Sequence, residues 1–185
     1  MHPYAVRGND LYETPEVATR ALLRVETLPK KIWEPACGRG AIGRVLAEAG
    51  HLVHATDLID YGYGVGDKDF LQTTEPPPGF QCILTNPPFK HALKFVDHAQ
   101  KLCPLVIMLG RLAWIEGARQ KYKCMDNGTL ARVWQFKKRL PFMHRDGYEG
   151  KKNSNSGMAF AWFVWDANHS GDTIIRRFSW EKPTP

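Results

Sequence analysis

Residues 81–89 have the sequence QCILTNPPF, an apolar run that ends in an asparagine and two prolines. The apolar run predicts a buried strand. Because proline disfavours a helical conformation in the residue before it, Asn86 and Pro87 must leave this strand through a stiff, extended corner. The Asn86 side chain and the Pro87 carbonyl can both accept hydrogen bonds, and Phe89 adds a flat apolar face. Such a corner suits a planar amino group, for example the exocyclic nitrogen of a nucleobase, but a strand capped by two prolines explains the residues equally well.

The composition indicates one globular domain with a mildly basic surface. The chain has 185 residues, of which 43% are hydrophobic and 11% aromatic, which is enough for a single sizeable core. The net charge of +6 favours an anionic partner such as nucleic acid, although such a surface is also common without one. The four cysteines are far apart in sequence and the histidines lack metal-ligand spacing, so we expect no metal site and a reducing, cytoplasmic location. We find no run typical of a signal peptide or a membrane span, and so expect no membrane partner.

Short apolar runs alternate with segments of helical periodicity. Helices are predicted at residues 15–28, where Thr14 would be the N-cap, and at 41–49, 91–102 and 114–125. Strands are predicted at residues 31–34, 52–58, 81–85, 104–109, 131–140 and 158–165, with further possible strands near Phe70 and at 173–180. This order predicts an α/β fold with a mostly parallel sheet that ends in an antiparallel hairpin. Ligands of such sheets bind at the carboxyl ends of the strands.

Three short motifs, taken together, resemble a known enzyme family. DLYETP at residues 10–15, EPACGRG at residues 34–40 and the NPPF corner have the order of the gamma-type amino-methyltransferases that use S-adenosylmethionine (SAM). The Phe form of the corner is most similar to the DNA adenine-N6 branch. The resemblance implies the Rossmann-like class I methyltransferase fold and SAM as the cofactor. It extends over residues 10–165 in layout, so we expect residues 1–185 to form one catalytic domain without a separate target-recognition domain.

The glycine-rich segment at residues 34–40 leaves a rival interpretation open. Gly38, Gly40 and Gly43 match the G-x-G-x-x-G spacing of dinucleotide-binding loops, which would indicate a nicotinamide or flavin enzyme. However, the preceding Glu34 would repel a diphosphate, whereas it would attract the ammonium group of a methionine moiety. The NPPF corner also has no evident role in hydride transfer. SAM is therefore the preferred cofactor.

The resemblance implies a set of cofactor-binding residues. Asp57 would accept the ribose hydroxyls of SAM and Leu58 would flank the adenine, although an acidic residue after a strand is also a common turn cap. Asp69 and Phe70 resemble the third motif of the family, with Asp67 or a plain turn as the alternatives. The full implied set is Tyr12, Thr14, Pro15, Glu34, Ala36, Gly38, Gly40, Asp57, Leu58, Asp69, Phe70 and Asn86.

The same resemblance assigns the chemistry to Asn86, Pro87, Pro88 and Phe89. An adenine amino group is a poor nucleophile, and positive charge grows on N6 as it takes up a methyl group. The Asn86 side chain and the Pro87 carbonyl would stabilise this charge, so that no strong general base is required. Phe89 would stack on the base, which must be flipped out of a duplex or taken from a single strand.

Basic residues near the predicted carboxyl ends of the strands are candidates for binding the nucleic acid. Residues 144–157 form a polar loop between two strands, which could close on phosphates or could be an ordinary hairpin loop. The candidates are Lys90, Arg111, Lys138, Arg139, Arg145, Lys151 and Lys152. Without a recognition domain, we expect short or relaxed sequence specificity, and an enzyme of this size is typical of a phage or prophage.

Three other functions remain open at this stage. Similar corners act on RNA bases and on the glutamine amide of release factors, and the second group favours Tyr where this chain has Phe89. A non-catalytic nucleic-acid-binding protein could also keep the fold, but it would have no need of Asn86 and Asp57. DNA is the preferred partner and RNA the alternative, while the oligomeric state and the recognition site cannot be predicted.

Overall fold

The computed structural model of the chain describes residues 11–117, 123–141 and 157–181. The helices are α1 (Glu16–Leu22), α2 (Ala41–Glu48), α3 (Ala92–Leu102) and α4 (Lys123–Asp126). The strands are β1 (Lys31–Glu34), β2 (Leu52–Ala55), β3 (Cys82–Thr85), β4 (Leu105–Arg111), β5 (Leu130–Phe136), β6 (Phe160–Asp166) and β7 (Ile174–Phe178). Two 3₁₀ turns lie at Phe70–Gln72 and Leu112–Glu116. None of the helices in the described ranges is both long and apolar enough to cross a membrane.

The strands form one seven-stranded sheet in the order β2-β1-β3-β4-β6-β5-β7. Strand β6 is antiparallel to both of its neighbours, β4 and β5, and every other pairing in the sheet is parallel. The predicted α/β fold with a C-terminal antiparallel hairpin is therefore confirmed, with β6 inserted between β4 and β5. Because β1, β3, β4 and β5 run in the same direction, their carboxyl ends meet at one edge of the sheet.

Helices cover both faces of the sheet, so its central strands are buried on both sides. On one face, Leu22 of α1 and Leu46 of α2 pack with Leu84 of β3. On the other face, Val96 of α3 packs with Ile83 of β3. Neighbouring residues of one strand thus enter different halves of the core, which is why β3 and β4 appear in the sequence as unbroken apolar runs.

The first helix differs from its prediction in length and in its cap. Helix α1 ends at Leu22, and its N-cap is Pro15, with no side chain capping it. Beyond the end of this helix, Glu26 contacts the sheet, where its carboxylate accepts from Arg132 Nε at 2.9 Å and from Trp134 Nε1 at 2.7 Å. This contact joins residues more than a hundred positions apart, so helical periodicity alone could not reveal it.

Two other local predictions were wrong, and a third is tested only in part. The second strand ends at Ala55, because the next residue pairs with Val65 instead of continuing the ladder. The segment near Phe70 is a 3₁₀ turn and not a strand. The helix predicted at 114–125 is described only in part, and Trp114 lies in a 3₁₀ turn before it. Trp114 is 4% exposed and packs on Gly110, so it is a core residue.

Candidate functional site

A cavity of about 360 Å³ lies at the carboxyl ends of β1, β2 and β3, which is the size of many small-molecule sites. Its walls come from four short segments, at residues 11–14, 34–42, 57–61 and 86–91. These segments include the glycine-rich segment and the NPPF corner predicted from the sequence. The predicted cofactor residues that line it are Tyr12, Thr14, Glu34, Ala36, Asp57, Leu58 and Asn86.

The glycine-rich segment is held against the end of β2 by backbone hydrogen bonds. Cys37 N donates to the Thr56 carbonyl at 3.0 Å, and Gly38 N donates to the Asp57 carboxylate at 2.8 Å. Gly38 and Gly40 have φ values of +51° and +85°, which favour glycine because a Cβ is strained in this region. The segment therefore forms a tight turn at the floor of the cavity.

A buried carboxyl group with an unused acceptor faces the cavity. Glu34, the last residue of β1, is 1% exposed and lines the cavity. Burial raises the pKa of this carboxyl group well above its ordinary value, against a smaller opposing effect of the hydrogen bond from the Gly43 backbone, and the nearby Asp57 raises it further. Its Oε2 atom has no hydrogen-bond partner among the described residues. Such an atom is costly unless a donor or cation arrives, so the site is suited to a positively charged ligand group.

Asp57 has two functions in this arrangement. One carboxylate oxygen accepts from Gly38 N, and the other accepts from Ile59 N at 3.1 Å, so the turn-cap interpretation of this residue is correct. The side chain also lines the cavity. Each carboxylate oxygen can accept more than one hydrogen bond, so capacity for ligand hydroxyls remains.

The NPPF corner meets the N-terminal segment on the other side of the cavity. Asn86 Nδ2 donates to the Tyr12 carbonyl and to Thr14 Oγ1, each at 3.1 Å. These two hydrogen bonds fix the orientation of the amide. Its nitrogen is the donor in both, and its oxygen is the atom that can act as an acceptor. Thr14 is 5% exposed, and it holds Asn86 instead of capping α1. Pro87 and Pro88 line the cavity beside Asn86.

Phe89 lies next to the cavity but is not among its lining residues. Its ring stacks on Tyr12, with centroids 4.5 Å apart, and lies 5.9 Å from the Phe160 ring. The proposed contact of Phe89 with a base is therefore not open in this arrangement, because aromatic rings already occupy its surroundings.

The third predicted motif does not reach the cavity. Phe70 is 3% exposed and packs in the core, with its ring 4.8 Å from that of Phe95 and 5.3 Å from that of Trp33. Asp69 is exposed and accepts from Leu71 N, so it caps the 3₁₀ turn. These positions favour the plain-turn alternative, and cofactor roles for both residues remain predictions. Pro15 is the N-cap of α1 and also lies outside the cavity lining.

Sequence reasoning missed two tyrosines that cover the glycine-rich segment. A Cβ on Gly40 would lie 2.4 Å from the Tyr63 ring, and the Arg44 guanidinium lies 4.7 Å from the centre of that ring. Tyr61 lines the cavity, 5.8 Å from the Arg39 guanidinium. Their only sequence signal was two aromatic residues in a glycine-rich loop, and the pairing of this loop with the end of β2 brings them into place.

The predicted nucleic-acid-binding residues that the structure describes follow carboxyl ends of parallel strands. Lys90 lines the cavity, and Arg111 ends β4. Beyond β5, Lys138 pairs with Glu181 at 2.6 Å, and Arg139 donates to the Gly157 carbonyl. β5 is three strands from β3, which is about 14 Å at the usual strand spacing. Arg145, Lys151 and Lys152 lie outside the described residues. In the described ranges, no group of three potential ligands could hold a metal ion.

Comparison with solved structures defines the class of fold. A putative class I SAM-dependent methyltransferase from Listeria monocytogenes superimposes with a TM-score of 0.65 at 12% identity, covering 97% of this chain and 70% of that one. The methyltransferase subunit of the type I restriction-modification system from Streptococcus thermophilus gives 0.62 at 13% identity, covering 90% and 47%. A putative RNA methyltransferase from Pyrococcus horikoshii gives 0.57 at 16% identity, covering 84% and 86%.

The chain thus has the Rossmann-like fold of the class I SAM-dependent methyltransferases. It spans about half the length of the type I restriction-modification subunits to which it is similar. No protein-family model and no curated protein sequence matches the chain.

Proposed function

We propose that this protein is a SAM-dependent methyltransferase that methylates the exocyclic N6 amino group of adenine in DNA, with short or relaxed sequence specificity. One observation carries the proposal. The Asn86 amide lines the same cavity as the Glu34 and Asp57 carboxyl groups. Residues that could accept from an amino group and from a cationic, hydroxylated cofactor therefore line one cavity.

The cavity fits SAM better than a dinucleotide. The unpartnered Oε2 of Glu34 would receive the ammonium group of the cofactor, and Asp57 its ribose hydroxyls. A diphosphate placed near Glu34 would instead meet a buried carboxyl group. Gly38 and Gly40 are not lining residues, because the Leu11 side chain and the Tyr63 ring pack against them, so their part is to shape the turn and direct contact with the cofactor remains a prediction. When bound, SAM supplies a methyl group activated by a sulfonium.

The corner would stabilise the charge that develops on N6 during transfer. Asn86 is held by Tyr12 and Thr14, so its amide does not need to reorganise as the charge grows. The Pro87 carbonyl would be the second acceptor. The target adenine must leave a duplex or come from a single strand to reach this cavity. The basic residues Lys90, Arg111, Lys138 and Arg139 would hold the phosphates along the carboxyl edge of the sheet.

The test is transfer of a tritiated methyl group from SAM to DNA, RNA and protein in parallel reactions. We expect labelled N6-methyladenine in DNA. Label in RNA alone or in glutamine side chains would overturn the choice of substrate. SAM binding without transfer to any of the three would favour a binding protein.

Two asparagine variants connect this activity to the corner. Asn86→Ala should lower methyl transfer by about a hundredfold or more, while SAM still binds. Asn168→Ala is the matched control, because Asn168 is exposed and follows the far end of β6. Full activity of the Asn86→Ala protein would overturn the proposed mechanism.

A further inference from the structure

The ring of Phe89 has two other rings close to it. Tyr12 stacks on it at 4.5 Å with an interplanar angle of 21°, which is a normal geometry for stacked aromatic groups. The Phe160 ring lies 5.9 Å away at 31°. A nucleobase that is to stack on the part of Phe89 that either ring covers must displace that ring.

Phe160 cannot leave this position without disturbing the sheet. It is 2% exposed and begins β6, where it pairs with Arg111 of β4. It also belongs to the apolar cluster that includes Trp162 and Leu109. Moving its ring would open a void in a close-packed core.

Tyr12 is less deeply buried than Phe160, and its backbone is fixed by a hydrogen bond. Its carbonyl accepts from Asn86 Nδ2, while Thr14, two residues later, accepts from the same amide nitrogen. The Tyr12 side chain is half-buried, packs against the edge of the same apolar cluster as Phe160 and lines the cavity. Its ring can turn about the Cα–Cβ bond while both hydrogen bonds to Asn86 remain.

We propose that the Tyr12 ring holds the place of the target base, and that the base displaces it to stack on Phe89. This inference rests on the proposed function and adds a positioning residue to it. In the free protein the Tyr12 ring competes with the base for one face of Phe89. The backbone of Tyr12 keeps Asn86 oriented throughout, so the exchange of rings does not disturb the acceptor that meets the amino group.

The competition can be measured by binding alone, without methyl transfer. The probes are a short oligodeoxyadenylate and an abasic strand of equal length, which share their phosphates and differ only in the bases. The dissociation constant of the abasic strand divided by that of the oligodeoxyadenylate isolates the contribution of base stacking. This ratio rises when the bases bind more tightly. It is measured for the native protein, for Tyr12→Ala and for Tyr12→Phe, which keeps an aromatic ring.

We expect Tyr12→Ala to bind the oligodeoxyadenylate about two- to tenfold more tightly, with unchanged affinity for the abasic strand. Tyr12→Phe should keep the native ratio. An unchanged ratio in Tyr12→Ala would overturn the proposal, and a reduced ratio would show that Tyr12 supports the base instead of competing with it. A partly unfolded variant would lose affinity for both strands and leave no increased ratio, which also counts against the proposal. Failure of the proposed function is recognised separately, as absence of methyl transfer by the native protein.

Discussion

The two sides of the cavity are built in different ways. On the glycine side, the backbone of Cys37 and Gly38 is bonded to the end of the neighbouring strand, at Thr56 and Asp57. On the corner side, the Asn86 side chain is bonded to residues 72 and 74 positions earlier in the chain. The glycine side therefore depends on the ends of two adjacent strands. The corner side depends on hydrogen bonds between Asn86 and the N-terminal segment.

This difference predicts how each side responds to substitution. The glycine side is close-packed, so an added atom should distort it and destabilise the fold. The corner side is held by a few directed bonds, so loss of one bond should change the chemistry more than the fold. The following variants test this contrast, beginning with the largest effect.

Gly40→Ala should be the most disruptive variant. The new Cβ would lie 2.4 Å from the Tyr63 ring at a φ of +85°, so it combines a strained backbone with overpacking. We expect a loss of about 2–4 kcal/mol in the free energy of unfolding, measured by urea denaturation. SAM affinity should fall as well.

Gly50→Ala separates the two causes. Gly50 has a similar φ of +90°, but nothing lies within 4 Å of the added Cβ. Its cost should therefore be only that of the backbone, about 1–2 kcal/mol. Equal losses in the two variants would show that packing of Tyr63 against Gly40 contributes nothing.

Glu34→Gln should weaken SAM binding by about tenfold, because Gln cannot release a proton to become the carboxylate that would pair with the ammonium group. Isothermal titration calorimetry measures this change. Glu16→Gln, which alters an exposed residue with a side chain 67% accessible, is the control and should bind SAM normally. Equal affinities in the native and Glu34→Gln proteins would contradict the role assigned to this carboxyl group.

The same variant changes the pH dependence of stability. Because burial raises the pKa of Glu34 above its ordinary 4.5, the native protein keeps a proton that the unfolded chain releases. Without ligand, this group should make the free energy of unfolding fall as the pH rises from about 4.5 towards the raised pKa. Denaturation at several pH values should show a smaller fall in Glu34→Gln. An identical slope in both proteins would contradict the assignment.

Thr14→Val should have the smallest effect on the fold and a clear effect on the reaction. It removes one of the two acceptors that orient Asn86, which costs about 1 kcal/mol and should lower the methyl-transfer rate about fivefold. Thr19→Val is the matched control, because the buried Thr19 hydroxyl has no hydrogen-bond partner among the described residues. If both variants behave alike, Thr14 does not act through Asn86.

Much of this architecture could be predicted from the sequence. The apolar run before Asn86 predicted β3, and the two prolines predicted the extended corner that follows it. The glycine spacing predicted the turn after β1. Asp57 was predicted to close the second strand, but β2 ends at Ala55 and Asp57 lies in the turn after it. The errors at α1 and near Phe70 both involve side chains with distant partners, Glu26 with Arg132 and Phe70 with Phe95, which local periodicity does not encode.

The sequence by itself determined which strands form and where polar residues follow them, because these features depend on local apolar runs, glycines and prolines. Only the tertiary structure decided that Thr14 would hold Asn86, that Tyr63 would cover Gly40 and that Tyr12 would lie on Phe89. These contacts join segments far apart in the chain, and no local periodicity encodes them. They form because the parallel strands bring their carboxyl ends to one edge, where loops of unrelated sequence must pack together.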